Sequence, residues 1–291
     1  SIFRGLGDSK SPMYFIAVAC VANIIFDYIF MGALKLGPAG AALGTTLSQA
    51  VSVAIALAVI IKRKLISVER SDFVLRREIV LPVLKIGFPV AMQDGFIQIS
   101  FILITIIANR RGLADAAAVG IVEKIMSFMF LVPSSMLSTV SALASQNIGA
   151  KKYDRADSTL RFASFIATGF GLAMAVLIQF SASSFVALFT ADSVVIALGA
   201  QYLRGYIWDC FLGGIHFSFS GYFCALGKSG ISFLHNLLSI VLVRVPGAYF
   251  MSKLFPENLF PMGIATSCGS LLSVIVCVIA FCILRKRNFR L

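Results

Sequence analysis

Asn23 and Asp27 stand four residues apart in an otherwise apolar run. On a helix that spacing puts both side chains on one face, one turn apart. An amide and a carboxylate there form a set of hard oxygen donors suited to a small cation. A carboxylate surrounded by apolar groups disfavours its charged form, so it can load a proton, or hold Na+, and release either as its surroundings change. Asp27 is therefore the leading candidate for ion coupling, the alternative being that it pairs with a polar group on a neighbouring helix. Asp94 lies twelve residues past Pro82, with Gln93 beside it and Gln98 one turn on. It is a candidate to face a cavity and hold a cationic compound, or else to bond another helix. Asp209, flanked by Tyr206 and Trp208, is five residues from Arg204, a poor helical pair; an ion pair with another helix, through Arg244, competes with substrate contact.

Other groups carry weaker signals. Glu123 and Lys124 fall toward the end of an apolar segment and are expected to reach the interface. Met126, Met129 and Met136, with Phe128 and Phe130, suit a promiscuous ligand surface, although bulky residues at helical spacing more often simply pack. Met129 is retained as a candidate cavity residue. His216 and His235 are far apart in sequence and are expected to be satisfied polar groups. The six cysteines, Cys20, Cys210, Cys224, Cys268, Cys277 and Cys282, all lie in apolar stretches without a CxxC pair, and are expected to be small hydrophobes rather than disulfides or metal ligands. No P-loop is present, nor the paired Asp-rich motifs of a membrane-embedded transferase, so neither an ATP-driven pump nor an enzyme is expected. No cofactor is expected beyond the coupling ion, H+ or Na+, and no metal other than Na+ at Asp27.

These groups must be positioned inside a membrane. The 291 residues are 59% hydrophobic and only 13% charged, with a mean hydropathy of +0.93. Soluble domains carry about 25% charged residues, so this chain cannot cover a water-facing surface. The net charge of +12 does not indicate nucleic acid. Its bases sit in short clusters between apolar runs, as membrane topology requires, instead of on one soluble face. Eight segments reach the roughly 20 apolar residues of a span: 12–33, 39–61, 82–108, 116–146, 158–188, 194–226, 230–252 and 261–284. Pro12, Pro82 and Pro261 sit near starts, and the fourth and sixth segments are long enough to tilt or protrude.

If each segment crosses once, Lys62-Arg63-Lys64, Arg76-Arg77, Lys151-Lys152, Arg155, Lys228 and Arg285-Lys286-Arg287 share one side. The other side receives Lys35, Arg110, Arg111 and Lys253. The positive-inside rule then places the first group, and the C-terminus, in the cytoplasm of a plasma (inner) membrane protein. The polar stretch from Arg63 to Leu81 reads as a cytoplasmic linker with a surface helix, dividing residues 1–62 from 82–291.

The chain also repeats itself. Gly5-Leu6-Gly7-Asp8-Ser9-Lys10, a span, and Gly37-Pro38-Ala39-Gly40 correspond to Ala225-Leu226-Gly227-Lys228-Ser229, a span, and Phe260-Pro261-Met262-Gly263. Both copies run the same way, the mark of a transporter made of two similar bundles. Four spans precede the second copy and almost nothing precedes the first, so four further spans, twelve in all, are expected in the complete protein.

Arg4-Gly5-Leu6-Gly7-Asp8-Ser9-Lys10 with Pro12, Gly40-Ala41-Ala42-Leu43-Gly44-Thr45 with Gln49, Leu84-Lys85-Ile86-Gly87-Phe88-Pro89, and Gln146-Asn147-Ile148-Gly149-Ala150 occur in an order and spacing that resembles the multidrug and toxic compound extrusion (MATE) family of cation-coupled antiporters. The resemblance implies an all-α membrane protein of two six-helix lobes around a cavity open to alternate sides. Residues 1–62 would be the last two helices of the first lobe and 82–291 the whole second lobe. It also implies a first-lobe cation site in which Thr45 joins Asn23 and Asp27, together with an Asp on a span that this chain does not contain. The acids of the second lobe do not fall cleanly on the family pattern. The implied activity is export of organic, often cationic, drugs or metabolites in exchange for H+ or Na+, by a monomer whose partners are small organic molecules and the bilayer. The alternatives are a lipid-linked saccharide flippase of related fold, which would need several cavity arginines where only Arg204 and Arg244 are available, and an inactive truncated fragment.

Overall fold

The computed structural model describes residues 3, 7–8, 10–63 and 76–288, and among them all regular structure is helical. The described helices are α1 (Lys10–Asp27), α2 (Gly37–Lys62), α3 (Arg77–Asn109), α4 (Leu113–Met129), α5 (Leu131–Gly149), α6 (Tyr153–Ala187), α7 (Ser193–Tyr206), α8 (Trp208–Ala225), α9 (Ser229–Ser239), α10 (Val245–Leu254) and α11 (Phe260–Asn288). π-helical turns follow α1 (Tyr28–Ala33) and α9 (Ile240–Arg244). The chain forms two compact units, Ser1–Arg77 and Glu78–Leu291. The expected linker over 63–81 falls mostly on residues 64–75, which lie outside the described residues, as do Arg4, Gly5, Leu6 and Ser9 of the first repeat motif.

Among the described residues, six helical spans are long and apolar enough to cross a bilayer, and the bent pair α4–α5 makes a seventh if it counts as one span. The eighth expected segment, 194–226, is the pair α7–α8, whose second half carries Asp209, His216 and two serines. The two segments expected to tilt or protrude because of their length break instead. In the first, Pro133 has no N–H to offer the carbonyl of Met129. The Cys210 thiol donates to that carbonyl at 3.5 Å, and the axes of α4 and α5 diverge by 40°. In the second, the Cys210 N–H turns back to Ile207 O at 2.9 Å. The Ser267 hydroxyl of α11 donates to the carbonyls of Gly205 and Tyr206 at 3.0 and 3.2 Å. A side chain inserted into the helical ladder is an established cause of a kink. A third difference concerns α3, which starts at Arg77, so that Pro82 and Pro89 both lie inside it. Its added first turn carries Glu78, which suits the positive end of the helix dipole.

The first unit is a hairpin of α1 and α2. Asp8 caps α1, accepting from the amides of Lys10 and Ser11 at 3.1 and 3.0 Å and from the Ser11 hydroxyl at 2.6 Å. These bonds, the Ser11 hydroxyl first, together with Arg63 at 3.3 Å, hold the Asp8 carboxyl below its ordinary range. Because Arg63 also donates to the Ser11 hydroxyl at 3.2 Å, the end of α2 is tied to the start of α1. At the other end the chain reverses through Lys35 and Gly37, both at positive φ, and Gly40 packs against the Phe30 backbone with no room for a Cβ.

In the second unit, apolar residues gather in two clusters. One is centred on Val119, Val122, Ile178, Leu203 and Ile207, the other on Val140, Ala144, Leu160 and Phe223. Small residues bring the helices together: a Cβ on Gly171 of α6 would meet Phe211 Cα of α8 at 2.6 Å, and one on Gly214 of α8 would meet the Ala167 carbonyl carbon of α6 at 2.7 Å. Close small-residue contacts of this kind replace the hydrophobic effect where lipid surrounds the helices.

Arg111, read from sequence only as a marker of topology, is a buried staple. It pairs with Asp115 at 3.1 Å and donates to the carbonyls of Ser252, Phe255 and Pro256 at 2.7, 3.1 and 2.6 Å. Its side chain is 7% exposed. Those carbonyls lie at and just past the end of α10, where the helix leaves them without backbone donors and its dipole favours a cation. Arg111→Ala strands the Asp115 carboxylate and three carbonyls, so a loss of about 2–4 kcal/mol is expected. In thermal unfolding, Arg111→Lys should recover only part of it, because an ammonium lacks the planar fork.

Candidate functional site

The structure brings Asp27 and Asn23 together with α2. Asp27 ends α1 immediately before the π-helical turn. Its Oδ1 is buried and accepts no hydrogen bond, and the Asn23 amide nitrogen one turn earlier is likewise buried and unbonded. Buried polar atoms without partners are rare in proteins, and a missing ion or water is one common reason for them. Asp27 Oδ1 rests on the bare Cα of Gly44, where a Cβ would come within 2.5 Å of it. Thr45, next along α2, spends its hydroxyl proton on the Ala41 carbonyl at 3.0 Å, which leaves its oxygen lone pairs free to accept or to ligate. Asn23 and Asp27 on α1 and Thr45 on α2 thus offer oxygen donors of the kind that fits a hard monovalent cation, and the Asp27 carboxylate can also take up a proton. Gly44→Ala is expected to push the Asp27 carboxyl off this position. Any coupled transport should then fall several-fold, while stability stays level or rises, since Ala is favoured over Gly in a helix by about 1 kcal/mol. Efflux assay and melting curve on the same preparation check both halves.

The second unit holds a separate cluster of charges. Arg244 and Asp209 pair at 3.4 Å with their side chains 11% and 1% exposed. Of the two readings open for Asp209, the structure thus displays the interhelical ion pair. Glu123 does not reach the interface as expected. It points inward and accepts from Thr105 of α3 at 3.4 Å, while Lys124 is exposed. Rotation of α4 about its axis decides this, because Val119, Val122 and Met126 bury the same face. The two histidines also depart from expectation. His216 and His235 are neighbours, with ring centroids 5.8 Å apart. Ser220 Oγ lies 2.8 Å from His235 Nε2, and both Nδ1 atoms lack a hydrogen-bond partner. Sequence spacing could have placed Asp209, His216 and Ser220 on one stripe of α8, but not His235 against it.

Asp94 and Gln98 are exposed on α3 within the second unit, whereas Gln93 is buried with neither amide atom bonded. Met129 is partly buried against the larger apolar cluster. Cys20, Cys268 and Cys282 are exposed rather than buried.

Residues 89–250, more than half of the chain, match the MatE family model. The chain belongs to the MatE family. Among curated relatives, it is 28% identical over 270 residues to the probable multidrug resistance protein YpnP of Bacillus subtilis, covering 92% of this chain and 60% of that protein. It is 24% identical over 254 residues to the multidrug export protein MepA of Staphylococcus saprophyticus, covering 87% and 56%. The chain thus spans less than two thirds of the length of these relatives. Among solved structures, a mutant of the MATE transporter VcmN of Vibrio cholerae superposes with a TM-score of 0.88 at 21% identity, over all of this chain and 65% of that one. A MOP superfamily transporter from Pyrococcus furiosus does so at 0.88 and 22%, over 98% and 64%. The two-bundle helical fold implied by the sequence motifs is the fold of these multi-span membrane transporters.

Proposed function

We propose that this chain is the larger part of a secondary active antiporter that exports organic, often cationic, compounds in exchange for H+ or Na+. The observation that carries the reading is Asp27, a carboxylate with a buried unbonded oxygen in an otherwise apolar membrane helix, beside the equally unbonded Asn23 amide. Its MatE membership and relatives named for multidrug resistance and export support the substrate class. Asn23, Asp27 and Thr45 bind the cation; Asp94 and Gln98 on α3, with Met129, line the substrate path. Residues 1–62 supply the last two helices of one lobe, 63–81 a cytoplasmic linker, and 82–291 the other lobe, with the C-terminus in the cytoplasm of the plasma membrane. The protein works as a monomer and without a catalytic step.

The mechanism is alternating access. A cation shifts the balance between outward- and inward-open arrangements only by its difference in affinity for the two. A charge crossing 100 mV adds about 2.3 kcal/mol to that cycle. A flippase of related fold would need arginines aimed at a pyrophosphate, and Arg244 is instead committed to Asp209 and Tyr206. The test is ethidium efflux from cells or vesicles containing the protein, with Na+ and pH gradients imposed separately. Efflux driven by one gradient and abolished by its collapse is expected. Absence of efflux under both, from well-expressed protein, would reject ethidium-type drug export.

A further inference from the structure

A guanidinium within a membrane bundle is costly unless it is paired, and Arg244 is held from four directions. Its Nη1 lies 3.4 Å from Asp209 Oδ2 on α8. Its Nη2 donates to the Tyr206 hydroxyl of α7 at 2.5 Å. The guanidinium plane lies over the rings of Phe101 on α3 and Tyr206, at 5.2 and 5.5 Å from their centroids. On α11, Gly269 leaves room for the Arg244 Cβ, which a Cβ there would meet at 2.9 Å. The π-helical turn places the residue, for Pro246 cannot donate to the Leu242 carbonyl and the ladder shifts by one just before it. The other titratable groups facing this site are Glu123 of α4, Tyr202 of α7 and His216 of α8; α3 and α11 contribute Phe101 and Ser270.

The internal repeat adds a second observation. Gly7 and Gly227 both adopt positive φ in the turn that opens each copy. Counted from these two glycines, Asn23 and Arg244 fall within one residue of each other. The turn that carries an amide and an unpaired acid in the first copy carries a permanent cation in the second.

We infer that the second unit contains a cation site filled by the chain itself: the Arg244 guanidinium occupies, at Asp209, the place that a dissolved Na+ or a proton would otherwise take. Arg244 is thus a positioning residue that keeps Asp209 out of ion exchange. The inference rests on the cation-coupled reading only for its consequence, that Asp209 adds nothing to the ion count of the cycle.

Melting of the purified protein tests it, with NaCl titrated against choline chloride at constant ionic strength, and separately across pH. Wild type and Asp209→Asn should show the same dependence on Na+, and on pH above about 5, where a paired carboxylate stays ionised. Arg244→Ala should melt lower and acquire a new stabilisation of several degrees by Na+, by acid, or by millimolar guanidinium, as each replaces the lost cation. The acid response has that sign because the folded state then binds a proton at Asp209 that the unfolded state does not. Asp209→Asn/Arg244→Ala should melt higher than Arg244→Ala and lack the new response. A wild-type stabilisation by Na+ or by acid that Asp209→Asn reduces would overturn the inference, since a dissolved ion then reaches Asp209 past Arg244. So would a folded Arg244→Ala without any Asp209-dependent gain. If Arg244→Ala does not fold, the comparison of wild type with Asp209→Asn still decides. None of these melts depends on ethidium export, so failure of the transport reading is a separate result.

Discussion

Asp27→Asn is expected to abolish ethidium efflux while leaving the protein folded. Asparagine keeps the shape and the hydrogen-bonding capacity of aspartate but has no charge to neutralise and no proton to lose. The coupling ion then has no difference in affinity to contribute between the two access states, and population shift requires one. Loss of a tenfold preference alone is worth about 1.4 kcal/mol, so efflux should fall by at least roughly that factor and toward the level of cells without the protein. Stability should move the other way or not at all. Asp27 Oδ1 has no hydrogen-bond donor to lose, and replacing a buried, unpaired carboxylate by a neutral group removes a desolvation cost. Accumulation of ethidium and the melting midpoint are therefore read together. A variant that pumps like wild type would assign Asp27 a structural role and send the search for coupling to Glu123 or Asp94.

Gly263→Ala is expected to give the largest loss of stability among single-methyl changes in the second unit. Its Cβ would be driven into the Tyr202 carbonyl oxygen, with the Tyr206 nitrogen only 2.9 Å away. Reciprocally, a Cβ on Gly205 would stand 2.5 Å from the Phe260 carbonyl oxygen and 2.8 Å from the Ile264 nitrogen. The obstacles are backbone on both sides, so no side-chain rotation relieves them and α7 must move from α11. Overpacking of this kind costs about 1–3 kcal/mol or more. The displacement would also pull Ser267 from the carbonyls of Gly205 and Tyr206, and with it the break that aims Tyr206 and Asp209 at Arg244. Gly120→Ala, on α4 where a Cβ meets nothing within 4 Å, is the control. It should be neutral or stabilising by up to about 1 kcal/mol. Equal melting of the two variants would show that the α7–α11 crossing is not as tight as these contacts require.

Much of this protein is set by its sequence alone. Length and composition dictate a helical membrane protein, since a backbone in lipid must satisfy its own hydrogen bonds. The pairing of Asn23 with Asp27 follows from covalent geometry, because residues four apart on a helix share a face whatever surrounds them. Motif order was enough to indicate the family. Tertiary structure decided which faces turn inward and which distant groups meet. In a soluble helix the apolar stripe marks the buried face; here lipid-facing and core-facing residues are equally apolar, and the stripe carries little information. For that reason the sequence puts Glu123 at the interface, reads His216 and His235 only as satisfied polar groups, and shows Arg111 merely as a charge between spans. The Asp209–Arg244 pair was only one of two open readings, because it joins residues 35 positions apart through helices whose rotations no local spacing specifies. The breaks near Phe130 and Ile207 depend likewise on partners from elsewhere, the Cys210 thiol and the Ser267 hydroxyl. A carbonyl that its own helix leaves unbonded can be kept inside a membrane only when another helix supplies the donor, and which helix does so is settled by packing the whole bundle.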